Sequence, residues 1–169
     1  MRLSKLLIPS IVGLLVVSSD HPVPAATATA NLPVNAAVAA NCSITTTPVT
    51  FATYDPIVTH ILNPDDSTAG AVTIACTKNT TTNIGLGLGG NALVNQRRMK
   101  DATTNYLNFE LYKDSARTQV WGNASPNWLT PVAAPDRTAR SFTVYGRIPG
   151  TQDVPAGSYS ETVVATVNF

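Results

Sequence analysis

Few side chains in this sequence could do chemistry, and their spacing argues against an enzyme. His60 is the only histidine beyond the N-terminal region that holds His21. A serine-type triad needs Ser, His and Asp to converge in space. Asp55 and Asp65-Asp66 flank His60, but Ser and Asp are too common here for that neighbourhood to specify a triad. Asp65-Asp66 follows Pro64 without the spaced Asp/Asn loop and distal Glu that hold calcium, so it reads as a solvated turn. Glu110 and Glu161 fall on separate predicted strands, at no acid–base spacing. The glycine-rich run Gly85 to Gly90 lacks the following helix start and lysine of a phosphate cradle. Arg97-Arg98 before Met99 reads as a basic spot on a hairpin surface. Trp121 and Trp128 have the chemistry to stack on sugars, yet aromatic residues near loop ends also serve packing. Asn41, Asn79 and Asn123 begin glycosylation-type triplets, which a Thr- and Asn-rich chain produces by chance. The expectation is a protein that is not an enzyme, with no catalytic residue, no metal and no cofactor.

Covalent chemistry is expected at one place, the cysteine pair Cys42 and Cys76. Arg2 and Lys5, the apolar stretch Leu6 to Val17 and the Ala-x-Ala options at Ala26 to Ala30 form an export signal. That assigns residues 1–28 to a signal peptide, with cleavage between 25 and 30. An even cysteine count in an exported protein reads as a disulfide. Two cysteines without a nearby histidine make no zinc site. Of eleven Lys and Arg residues the signal takes Arg2 and Lys5, and of ten Asp and Glu it takes Asp20, leaving nine of each. A near-zero net charge excludes a nucleic-acid or anionic-membrane surface.

The elements that must position these residues are strands. Val72, Ile74 and Cys76 alternate, as do Ile84, Leu86 and Leu88, then Leu107, Phe109 and Leu111, then Phe142, Val144, Gly146 and Ile148. Tyr159, Val163, Ala165, Val167 and Phe169 share one face of a last strand. Asn, Asp, Pro and Gly punctuate these runs about every ten residues, which predicts an all-β sandwich or barrel. The longest alternation comes first: every even position from Ala28 to Ile44 is apolar, and the odd ones are mostly polar. Fully extended it would span roughly 56 Å at about 3.3 Å per residue, several times an ordinary strand. Either it bends, or its two ends belong to different sheets, even to different molecules. The apolar face of the last strand runs to Phe169 without a polar tail. Such an edge invites pairing with another chain; equally, the first and last strands could pair within one molecule.

Several segments in order resemble one family. They are Ala40 to Ile44, Val49 to Asp55, Val72 to Thr77, Arg97 to Met99, Leu111 to Thr118 with Trp121-Gly122, Val144 to Pro149, Pro155 to Tyr159 and Val164 to Phe169. Together they are similar to the spore coat protein U-like domain, which includes pilins of the archaic chaperone–usher pathway. The resemblance implies an incomplete immunoglobulin-like β-sandwich, with an apolar groove beside its C-terminal strand and the final strand missing. It also implies partners: a periplasmic chaperone that first fills the groove, an outer-membrane usher, and other pilin subunits whose N-terminal strands replace the chaperone head to tail. The protein would be secreted through the periplasm to a surface pilus serving adhesion or biofilm formation, with no nucleic-acid partner.

Carried onto this chain, residues 29–40 become a donor-strand extension and 41–169 the sandwich domain. The donor side chains would be Leu32, Val34, Ala36 and Val38, and the acceptor groove and C-terminal strand would include Val163, Ala165, Val167 and Phe169. Pro33 has no N–H for a ladder, which narrows the donor core to Val34–Val38. Other readings are a self-complemented spore-coat or surface protein and, further off, a sugar-binding β-sandwich that uses the two tryptophans.

Overall fold

The computed structural model describes residues 22 and 24–169. The proposed signal peptide therefore lies largely outside the described residues. The chain divides after Ala36, and its two parts are described separately. No helix of the described residues is long and apolar enough to cross a membrane.

Residues 24–36 carry no helix or strand and are exposed throughout. The alternating pattern is present there, but a strand needs a neighbour to satisfy its N–H and C=O groups, and pairing starts only at Cys42. The predicted long strand is thus reduced to its last few residues.

From Ala37 onward, seven strands follow: β1 Cys42–Thr47, β2 Asp65–Cys76, β3 Asn83–Leu86, β4 Arg97–Lys100, β5 Tyr106–Tyr112, β6 Arg140–Ile148 and β7 Ala165–Asn168. They form a five-stranded sheet in the order β1-β2-β6-β5-β4 and a two-stranded sheet β3-β7. All named pairings are antiparallel. Period-two alternation puts Val72, Ile74 and Cys76 of β2, Leu107, Phe109 and Leu111 of β5, and Val144 and Ile148 of β6 into one core with Ile84 and Leu86 of β3. Trp121 closes that core. It is fully buried, and its indole Nε1 donates to the Ile84 carbonyl at 2.8 Å.

Several polar residues take positions the sequence did not suggest. Arg97, expected on a hairpin surface, is completely buried. Its guanidinium donates to the carbonyls of Gly87 (2.9 Å), Leu86 (2.8 Å) and Trp121 (2.8 Å) and pairs with the Glu110 carboxylate. The charge is tolerated in the core because every direction of the guanidinium fork meets an acceptor. Asp65 and Asp66 open β2 rather than forming a solvated turn. Asp66 accepts from Arg147 Nε at 2.7 Å, and that hydrogen bond, with the nearby Arg117 charge, holds its carboxyl below the ordinary value.

The predicted last strand, Tyr159 to Phe169, is split. Ser160 bridges to Lys100 of β4, with both N–H···O bonds at 3.0 Å, whereas Ala165–Asn168 pairs with β3 on the other sheet. Glu161 marks the crossing. Its carboxylate accepts from the N–H groups of Asn91 (2.8 Å), Gly90 (3.2 Å) and Thr162 (2.7 Å). Burial opposes its ionisation, but these N–H groups together outweigh that and hold its carboxyl below the ordinary range.

Candidate functional site

The site follows from two sheet edges that run side by side without joining. β1 is bonded only to β2, and β7 only to β3. The chain after β1 continues through Val49, Phe51 and Tyr54, and these side chains pack against the core. They reach it because two glycines leave room. A Cβ on Gly146 would stand 2.7 Å from the Phe51 ring, and one on Gly70 would run into the Val49 side chain. Ser67 fixes this segment by donating its hydroxyl to the Thr50 carbonyl at 2.5 Å.

Between that segment and the C-terminal one lies an apolar groove. Its middle, about 340 Å³, is flanked by Thr46 to Phe51 on one side and Glu161 to Ala165 on the other. Val72, Leu86, Phe109 and Val144 form its floor. The groove continues into a wider cleft of about 730 Å³ between Val49–Ile57 and Asp153–Tyr159, with Met99 and Leu107 below. Its flanks run in opposite directions, because the first rises from Thr46 to Ile57 as the second falls from Ala165 to Asp153.

At the other end of the seam, hereafter the closed end, β1 is locked to β2. Cys42 and Cys76 are disulfide-bonded and directly opposed in the β1–β2 register. Thr77 N–H donates to the Asn41 carbonyl at 2.9 Å, and Asn41 N–H to the Thr77 hydroxyl at 3.1 Å. Phe169 lies at this end, across a small cleft from Val38, Ala40 and Thr77 to Thr81.

The expected acceptor residues therefore separate. Val163 and Ala165 line the groove. Val167 packs against the core opposite Ile84. Phe169 is more than half exposed at the closed end. Of the expected donor residues, Leu32, Val34 and Val38 are each at least 85% exposed, and Ala36 is exposed too. Sequence reasoning missed Val49, Phe51 and Met99 on the groove walls, although Val49-x-Phe51 continues a period of two. His60 is built into the loop beside the wide cleft. It is buried, its Nδ1 accepts from the Asp55 N–H at 2.9 Å, and its ring stacks on Tyr54 at 4.8 Å. With Nδ1 so engaged, the ring braces the loop.

Comparison with known proteins places this arrangement. The Spore Coat Protein U domain family matches residues 28–166. The chain is 39% identical to Protein U of Myxococcus xanthus over 160 residues, which is 88% of each chain. It also resembles a chain in the complex of CsuC and CsuE, a chaperone and tip adhesion subunit of the archaic chaperone–usher Csu pili of Acinetobacter baumannii. The TM-score is 0.54 and the identity 27%; the likeness covers 78% of this chain but only 40% of that longer one. The immunoglobulin-like, all-β sandwich expected from the resemblance is borne out. By sequence and by fold, this chain belongs to the Spore Coat Protein U domain family.

Proposed function

We propose that the protein is a structural subunit of a secreted surface pilus, assembled by the chaperone–usher route and serving adhesion or biofilm formation. The carrying observation is the groove: an apolar cleft between the end of β1 with its continuation, Thr46 to Phe51, and the segment that leads into β7, Glu161 to Ala165. The same chain offers an alternating, exposed apolar run at its N-terminus, Val34 to Val38. A strand inserted there bonds to the free edge of β7 and places alternate side chains on Val72, Phe109 and Val144. Burying each Val-sized side chain contributes roughly 1.5–3 kcal/mol before ordering costs. The donor comes from another copy, so the contact is head to tail and grows an open filament. In this reading residues 1–28 are the export signal, 29–40 the donor and 41–169 the acceptor domain. A periplasmic chaperone holds the groove first, an outer-membrane usher passes the subunit on, and the product stands on the cell surface. The similar structure, a complex of a chaperone with a tip adhesion subunit, supports the chaperone step.

A second reading has its own observation. The relative matched over 88% of its length is a Protein U, from a family named for the spore coat. There the chain would fill its own groove and remain a surface protein without a filament. Deleting residues 28–38 separates the two. For a pilus subunit, the truncated domain still binds the chaperone, while the ladder of assembled species on unboiled denaturing gels disappears. If the intact chain is instead a stable monomer without a chaperone and the truncated one does not fold, self-complementation is correct.

A further inference from the structure

We propose that the loop Pro56–Leu62 is a subunit–subunit contact that seats the closed end of the next copy, around Phe169 and Val132, once its strand fills the groove. This rests on the groove reading above and says where the donor's body must sit.

The loop is built to hold apolar side chains outward. Ile57, Val58, Ile61 and Leu62 are all exposed, Val58 by 74% and Leu62 by 77%. Yet the loop is well anchored. The Asp55 carboxylate accepts from the N–H groups of Ile57 (2.9 Å) and Val58 (3.2 Å). His60 is buried beneath, and its carbonyl accepts from Thr151 N–H at 3.1 Å. A monomer rarely keeps such a patch in water, and an ordered loop that presents it has a contact to make. Pro56 and Ile57 also line the wide cleft, so the patch is continuous with the groove.

Strand direction then fixes the neighbour. A donor that completes the β3–β7 sheet in the antiparallel sense, the more stable pairing, runs opposite to β7. β7 ends at the closed pole, so the donor runs from the closed pole toward Ile57. Its chain leaves the groove beside the loop. From Val38 to Cys42 an extended chain reaches only about 14 Å. The donor's own Cys42 pole must therefore lie against the acceptor's loop. That pole carries exposed apolar residues of its own: Phe169, beside Val38 and Ala40, and Val132, two residues before Ala134, whose carbonyl accepts from Asn79 N–H. The two surfaces differ, so the contact is heterologous and propagates along the filament.

The test is cross-linking of assembled full-length chains that carry Leu62→Cys and Phe169→Cys. Both positions are exposed, so the fold and the native disulfide are preserved, as the free-thiol count verifies. A short bis-maleimide should give a ladder with the double variant and no dimer with either single variant. A second pair, Ala36→Cys with Val163→Cys, reports groove filling in a parallel sample. If the groove pair links and the Leu62–Phe169 pair does not, the pole contact is wrong and the groove reading survives. If neither links, both fall. A dimer from Leu62→Cys alone means an isologous contact and overturns the proposal. So does a Leu62→Cys thiol that reacts with a monofunctional maleimide as fast in filaments as in monomers, since the loop then serves a partner outside the filament.

Discussion

The two ends of one seam are built differently. At the closed end, the Cys42–Cys76 bond and the Asn41–Thr77 hydrogen bonds lock β1 to β2. At the open end, Thr46–Ile57 and Asp153–Ala165 face each other across an apolar gap. The closed end uses covalent and polar links that nothing else need supply. The open end carries Val49, Phe51 and Val163 half-buried, in contact with the core but lacking a partner above. The lesson is that incompleteness here is local. The β2-β6-β5 centre is finished, and the apolar strip beside Glu161–Ala165 is where our proposal places another strand.

The largest effect is expected at the polar clamp that keeps this incomplete sandwich together. Arg97→Met leaves the Glu110 carboxylate with only the Leu111 N–H and takes the Arg97 donors from three carbonyls, and removing one partner of a buried pair costs about 3–5 kcal/mol. Urea unfolding of the monomer should show that loss; a change under about 1 kcal/mol would mean the clamp is dispensable. Next comes the closed end itself. Replacing Cys42 and Cys76 with Ser opens a loop of about 35 residues and should lower stability by about 3–4 kcal/mol on the chain-entropy account, again read by urea unfolding.

A groove residue should behave in the opposite way. Phe51→Ala is expected to cost the monomer less than half of the about 3–5 kcal/mol of a fully buried phenylalanine, because the ring is only partly covered. In the assembled form the cost should grow, seen as a larger drop in the temperature at which the ladder melts. Equal losses in both states would show that nothing ever covers the groove.

Acid should produce the smallest change, and at a defined place. Hydrogen bonds from Asn105, with further ones from Thr103, lower the Asp101 carboxyl to about 2. The N–H groups of Ile57 and Val58 lower Asp55 in the same way. A carboxyl depressed in the folded state stabilises above its unfolded value and loses that contribution as pH falls through the folded one. The Asp55 cap should thus persist at neutral and mildly acidic pH and open only below about pH 4. Protection of the Ile57 and Val58 amides, their exchange relative to an unstructured chain at the same pH, should fall there, before global unfolding; protection unchanged down to about pH 2 would remove Asp55 as the anchor of the loop.

How far the sequence revealed this depends on periodicity. Val72/Ile74/Cys76, Leu107/Phe109/Leu111 and Phe142/Val144/Ile148 were readable because each strand has one buried face. Arg97 was not, since its burial comes from register: β4 lies on β5 with Arg97 opposite Phe109, next to Glu110. A basic doublet carries no trace of that neighbour. The last strand was drawn too long because apolar residues of one face stand on both sides of Glu161, where the chain changes sheets. The loop of Ile57 to Leu62 lacks period two and gave no signal. At the N-terminus the reverse holds: the alternation from Ala28 to Val38 is plain, while no strand forms there, because alternation fixes only which face is apolar and not whose sheet it completes.

That question has a direct measurement. Heavy- and light-isotope chains, each carrying Ala36→Cys and Val163→Cys, are assembled together, oxidised and digested, and the disulfide-linked peptides are weighed. Donor exchange between copies should give mixed heavy–light pairs in abundance. Pairs that are only heavy–heavy or light–light would mean that each chain fills its own groove and would contradict the account.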